Sequence, residues 1–210
     1  MARLLSTHDE NDRRPGGPAL VITDMISLWD FPDADKLLPA AVAIAPRVAR
    51  LRQRCREAGV PVIYANDNRG RWRSDFRQLV DAALQAEGPG GRIVEQLAPD
   101  TDDYFLLKPK HSAFFATPLE LLLNDLGVEQ LIVTGVSSDQ CVLATVADAR
   151  MRNLGAAVPQ DCVGTQSARR NQAVIQHFTD VVGISVTPSS RLRLPAGHPH
   201  TPAPARARTR

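Results

Sequence analysis

Residues Leu131 to Ala149, LIVTGVSSDQCVLATVADA, pass from an apolar, β-branched run through a short turn into apolar or β-branched positions at helical spacing, Val142, Thr145, Val146 and Ala149. The run reads as a buried parallel strand, so the stretch is a strand, a turn and a helix in direct succession. Gly135, Ser137, Ser138 and Asp139 mark the turn, and Cys141 falls in the first helical turn after it. A thiol placed there meets the unpaired amides and positive end of a helix, which favour the thiolate. The same amides can hold a developing oxyanion. Position therefore makes Cys141 a candidate nucleophile, with a small core hydrophobe as the alternative.

The remainder of the chain repeats the strand–helix alternation without internal repeats. Apolar runs are predicted as strands at Ala19 to Thr23, Val60 to Ala65, Tyr104 to Leu107, Leu131 to Thr134, Ala156 to Pro159 and Val181 to Val186. Helices are predicted over Leu38 to Ala58, Asp75 to Glu87 (ended by Gly88-Pro89-Gly90-Gly91), from the capping box Thr117-Pro118-Leu119-Glu120 to Gly127, after Cys141, and over Ser167 to Thr179. This pattern predicts a single doubly wound α/β domain, residues 18–189, with a mainly parallel six-stranded sheet flanked by helices. Residues 1–17 are expected to be a flexible arm and residues 190–210, rich in Pro and Arg, a disordered tail.

Composition excludes several function classes. A net charge of +2 over 210 residues, with Arg206, Arg208 and Arg210 at the very end, gives no footprint for nucleic acid. No apolar run reaches the length of a membrane span. The three cysteines, Cys55, Cys141 and Cys162, are far apart and odd in number. They suggest neither a disulfide framework nor a structural zinc site, and a reducing cytoplasm fits them best.

In a parallel sheet all carboxyl ends share one edge, so Asp24 after the first strand, Lys108 after the third and Cys141 after the fourth are expected on one rim. A thiolate can attack a carbonyl, a carboxylate can take the thiol proton and return it to a leaving nitrogen, and an ammonium can hold the carboxylate and tune the thiol. Each also has a plainer reading, as a turn residue, a solvated strand end or a core thiol. Lys110, two residues on and on the same strand face, competes with Lys108.

ALVITDM around Asp24, LLKPKHSAFFATPLELLL around Lys108 and LIVTGVSSDQCVLATVADA around Cys141, in that order, resemble the isochorismatase-like cysteine hydrolases, a family that includes nicotinamidases and N-carbamoylsarcosine amidases. The resemblance runs from about Ala19 to Val186. It implies a catalytic triad of Asp24, Lys108 and Cys141, and its spacing to Ser112-Ala113-Phe114 selects Lys108 over Lys110. It further implies a cis peptide between Val136 and Ser137, with the amides of Ser137 and Cys141 forming an oxyanion hole, and a homodimer or homotetramer.

Departures from the family pattern narrow the substrate. Nicotinamidases carry a metal site of one aspartate and two histidines after the second strand; here YANDNRGRWRSDF holds Asp67 but no histidine, so neither a metal nor another cofactor is expected. Isochorismatases proper lack the nucleophilic cysteine, and Cys141 favours an acyl-enzyme route through an amide, carbamoyl or ureido carbonyl of a small molecule. Ether hydrolysis with Asp24 as the acid and a catalytically silent binding protein are the alternatives. Trp29, Phe31, Asn66, Asn68, Arg71, Trp72 and Phe114 are the candidate substrate contacts, with a subunit interface as the competing place for the loop aromatics. Ser112, Thr117, Asp139, Asp148, Asp161 and Cys162 are expected to serve turns, caps or packing, Asp139 as a cap on the Cys141 helix.

Overall fold

A computed structural model describes residues 16–68, 70, 73 and 75–195. The chain begins with strand β1 (Gly17–Thr23) and helix α1 (Ala34–Glu57), then β2 (Val62–Asp67), α2 (Phe76–Leu84), α3 (Pro89–Leu97) and β3 (Tyr104–Lys108). After α4 (Leu119–Asp125) and β4 (Val128–Val136), a π-helical turn (Ser138–Val142) leads straight into α5 (Leu143–Met151). Two short strands, β5 (Gly155–Ala157) and β6 (Val163–Gly164), precede α6 (Ala168–His177).

The strands form a six-stranded parallel sheet in the order β3-β2-β1-β4-β5, with β6 pairing the far end of β4. Successive side chains on a strand point to opposite faces, and the core divides accordingly. Leu20 and Ile22 of β1 and Tyr64 of β2 pack towards α1, α2 and α3. Ala19, Val21, Ile63, Ala65, Leu131 and Val133 face the layer of α4, α5 and α6. Burying each such Leu, Ile or Val contributes roughly 1.5–3 kcal/mol over leaving it in water, so a one-residue slip in register would forfeit both layers at once.

Four sequence expectations change. Helix α1 starts at Ala34 rather than Leu38, because Asp33 in a left-handed conformation turns the chain and Leu37 joins the buried stripe Ala41, Ile44, Ala45, Val48, Leu51 and Cys55. The run Gly88-Pro89-Gly90-Gly91 does not simply end a helix: it opens α3, with Pro89 in the first turn where its missing N–H costs nothing. Gly90 is there for packing, since a methyl group at that position would come within 2.6 Å of the Trp29 ring. The strand expected over Val181 to Val186 reduces to one bridge, Ala157 to Ser185, after a π-helical turn over Phe178–Val182. Phe178 is fully buried and its carbonyl accepts from the Ile184 amide, which curls the segment away from the sheet, and β6 supplies the sixth strand instead.

The fourth change is at the carboxyl end. Residues 190–195 do not belong to a disordered tail. The Arg54 guanidinium donates to the carbonyls of Ser189 and Leu192, and Asp161 accepts from the Ser189 amide at 2.7 Å and hydroxyl at 2.8 Å. Leu192 and Leu194 pack on the first core layer. Of the expected arm, Gly17 instead opens β1, and residues 1–15 and the rest of the tail lie outside the described residues. Among the described residues, no helix is long and apolar enough to cross a membrane.

Candidate active site

β1 has β2 on one side and β4 on the other, so the connections leaving β1 and β4 diverge and leave a crevice beyond their carboxyl ends. At Thr23 and Gly135, which are register partners, the two strands come unusually close: a Cβ on Gly135 (φ 102°) would lie 2.0 Å from the Thr23 carbonyl oxygen. One residue beyond Thr23 stands Asp24; beyond Gly135 come Val136, the cis peptide to Ser137, and the turn bearing Cys141. The expected cis bond is therefore present. The close seam places the carboxylate and the sulfur against each other.

Lys108 ends β3, two strands away from β1, and its long side chain spans β2 to reach the same point. Its Nζ lies 2.8 Å from Asp24 Oδ2 and 3.4 Å from Cys141 Sγ, and it also donates to the Lys110 carbonyl at 3.3 Å. The other Asp24 oxygen accepts from the Asp67 amide at 2.7 Å. The Asp24 carboxylate also acts on the Cys141 thiol, raising it. Lys110, the rival, is exposed and contributes only its backbone.

Charge in this cluster is balanced by contact rather than by water. Burial works against the Lys108 charge, but its partners, Asp24 foremost, outweigh it and hold the ammonium above its usual range. The thiol behaves contrary to the sequence expectation. Burial first, and then the Asp24 carboxylate, push Cys141 up to about 12, and Lys108 offsets only part of this. The resting sulfur is thus a thiol. The π-helical turn gives it a helix-start position, but desolvation and a neighbouring anion dominate over the helix end.

The cleft above this cluster encloses about 240 Å³. Of the residues expected to touch a substrate, Trp29, Phe31 and Asn66 line it, together with Ser137 and Cys141. Trp29 and Phe31 lean on each other at a centroid distance of 5.9 Å and form an aromatic wall. Phe114 does not belong there: it is buried in the second core layer beneath the Arg152 guanidinium, 4.7 Å from its ring centre. Asn68 is tied to the loop, its amide donating to the Lys108 carbonyl and its side chain accepting from Gly70. Arg71 and Trp72 lie outside the described residues.

The sequence reading missed Ile26, Ser27, Leu37, Gln140 and above all His111 in the lining. His111 Nδ1 sits 3.6 Å from Cys141 Sγ. Its signal was its place, between the strand-ending lysine and the Ser112 turn. Asp67 also lines the cleft, and among the described residues no group of three His, Cys, Asp or Glu side chains is gathered as a metal would require.

The supporting residues take mostly the roles expected of them. Ser112 Oγ accepts from the Phe114 amide, and Thr117 Oγ1 accepts from the Leu119 amide at the start of α4. Glu120 does not close the predicted capping box but pairs with Arg152. Asp139 does not cap the helix after it: it accepts from Thr165 and is bridged by Arg170, which pins the π-helical turn to α6. Burial, Thr165 and Arg170 act on its carboxyl in opposite senses, and the hydrogen bonds and positive charge prevail to hold it low. Asp148 pairs with Arg152, and Cys162 is buried with its carbonyl accepting from the Gly135 amide.

Residues 18–188 match the isochorismatase domain family. The chain is 33% identical over 174 residues to the uncharacterized isochorismatase family protein YaaI of Bacillus subtilis, a match covering 83% of this chain and 95% of that one. It is 30% identical over 159 residues to the N-carbamoylsarcosine amidase of Arthrobacter sp, covering 70% of this chain and 59% of the relative. Among solved structures, a cysteine hydrolase from Pseudomonas syringae superposes with a TM-score of 0.65 at 25% identity, covering 84% of this chain and 91% of its own. The chain belongs to the isochorismatase family of hydrolases.

Proposed function

We propose that this isochorismatase-family hydrolase cleaves a small amide, carbamoyl or ureido compound by covalent catalysis at Cys141. The observation that carries the reading is the contact of one buried ammonium, Lys108 Nζ, with both the Asp24 carboxylate and the Cys141 sulfur at the floor of an open cleft. In the resting state the cluster holds one cation, one anion and a neutral thiol. Passing the thiol proton to Asp24 exchanges the anion from oxygen to sulfur and leaves the net charge unchanged. A buried site therefore generates its nucleophile without importing charge, although the resting thiol titrates only near 12.

A carbonyl carbon seated beside Sγ accepts the thiolate as Asp24 takes the proton. The negative charge then on the substrate oxygen meets the amides of Ser137 and Cys141 at the start of the π-helical turn. Collapse breaks the C–N bond, with the Asp24 proton passing to the departing nitrogen, and leaves a thioester on Cys141. Water resolves it to the acid and restores the thiol. Lys108 stays charged throughout and steadies whichever partner is anionic.

Release of ammonia or amine from a panel of small amides, carbamates and ureido acids tests the reading, with Cys141→Ala and Asp24→Asn as paired variants. The expected result is turnover in the parent and none in either variant. No ammonia from the panel, with cleavage of a vinyl-ether substrate that survives Cys141→Ala but is lost in Asp24→Asn, would assign proton-initiated ether cleavage instead.

A further inference from the structure

Resting on the covalent reading above, we propose that His111 is a catalytic residue of the second half-reaction, the general base that activates water for hydrolysis of the Cys141 thioester. The sulfur has two kinds of neighbour. Asp24 and Lys108 approach from the floor, where Lys108 is fully buried and Asp24 is committed to Lys108 Nζ and to the Asp67 amide. His111 approaches from the rim, on the exposed segment after β3, and its Nδ1 is 3.6 Å from Sγ. An imidazole with one nitrogen at the sulfur and an open flank is placed to meet water arriving from solvent.

The step balances with no outside partner. Neutral His111 takes a proton from water as its oxygen bonds to the thioester carbon. When the tetrahedral species collapses, the S–C bond breaks and the imidazolium returns that proton to the departing sulfur at Nδ1 distance. The products are the free acid, Cys141 thiol and neutral His111. Asp24 is left for the first half-reaction, in which the proton must reach a leaving nitrogen. Among the described residues, Cys141 from the π-helical turn touches the ring, Asp24 just beyond β1 and Asp67 of β2 share its cleft, and Lys108 and Lys110 precede it in the chain.

p-Nitrophenyl acetate separates the two halves, because nitrophenolate leaves without a proton and acylation then bypasses leaving-group chemistry. In the parent protein a burst of about one nitrophenolate per chain is expected, followed by a slower steady rate. His111→Gln should keep the burst and slow the steady rate by on the order of 10²-fold, with acetylated Cys141 accumulating on intact-mass analysis. Hydroxylamine, a nucleophile that needs no base, should restore release from the accumulated thioester. An unchanged steady rate in His111→Gln, or a burst and steady rate that fall together, would overturn the assignment. Unchanged thermal unfolding in the variant excludes a folding defect, as expected for an exposed ring. A burst persisting in Cys141→Ala would instead break the covalent reading itself.

Discussion

Asp24, Lys108 and Cys141 make the floor of the cleft, and each stands at the end of a sheet strand or in the turn directly after one. Trp29, Phe31 and His111 make its rim, and each stands on a connecting segment. The floor is held by hydrogen-bonded strands, a buried ion pair and a backbone approach too tight for a side chain. The rim is held by ring contacts and partial burial. The difference teaches that nucleophilic attack and selectivity are carried by parts of different rigidity: floor residues should fail together, whereas the rim aromatics Trp29 and Phe31 should be exchangeable one at a time.

The hardest blow to the floor is Lys108→Met. It removes the cation that serves both partners and leaves Asp24 with a missing mate. Turnover on an ammonia-releasing substrate is expected to fall by on the order of 10³-fold or more, and urea unfolding should show a loss of about 3–5 kcal/mol. Retained stability would mean that the pair is less coupled to the fold than its burial implies.

Gly135→Ala comes next. Its methyl group must displace the Thr23 carbonyl from a 2.0 Å overlap, and its φ of 102° suits glycine alone. Both stability and turnover should drop, stability by about 1–3 kcal/mol. A change in thermal stability with turnover untouched would show that the seam and the reaction are separable.

At the rim, Phe31→Ala should raise KM about tenfold while kcat stays within about twofold, since it deletes apolar wall and leaves the floor in place. A kcat collapse there would erase the distinction between the two regions.

The smallest effect concerns the resting thiols and leaves turnover aside. Cys141 is pushed up to about 12, chiefly by burial and then by Asp24, so alkylation by iodoacetamide should be slow at neutral pH and faster in Asp24→Asn. Cys55 and Cys162 are also pushed up to about 12 by burial. In the unfolded chain such thiols ionise near 9.0, so between that value and 12 the folded state binds more protons and its stability falls as pH rises. Chemical denaturation at rising pH reads the slope, and a flat response above pH 9 would contradict the burial of these thiols.

How much could be read in the sequence follows the same division. The strand-to-helix junction at Cys141, the strand-ending Asp24 and Lys108, and the parallel sheet were legible because continuous apolar runs and turn chemistry are local and strong. Phe114 was misplaced because an aromatic beside a motif looks the same whether it faces a cleft or a core, and only the path of the turn decides. His111 was passed over because a search for metal ligands in the segment after β2 looked past a histidine after β3. The α3 helix was lost to its own glycines, which serve Trp29 packing and helix entry rather than a stop. The thiol's upward shift was hidden because desolvation depends on what closes over the sulfur from elsewhere in the chain.

At the contact between Gly135 and Thr23, main chain meets main chain, and no side chain lies between them to be trimmed in compensation. An added carbon at this position cannot be accommodated by a second substitution nearby. The path to a new substrate therefore runs through exchange of the segment bearing Trp29 and Phe31, while the pairing of the two central strands stays as it is.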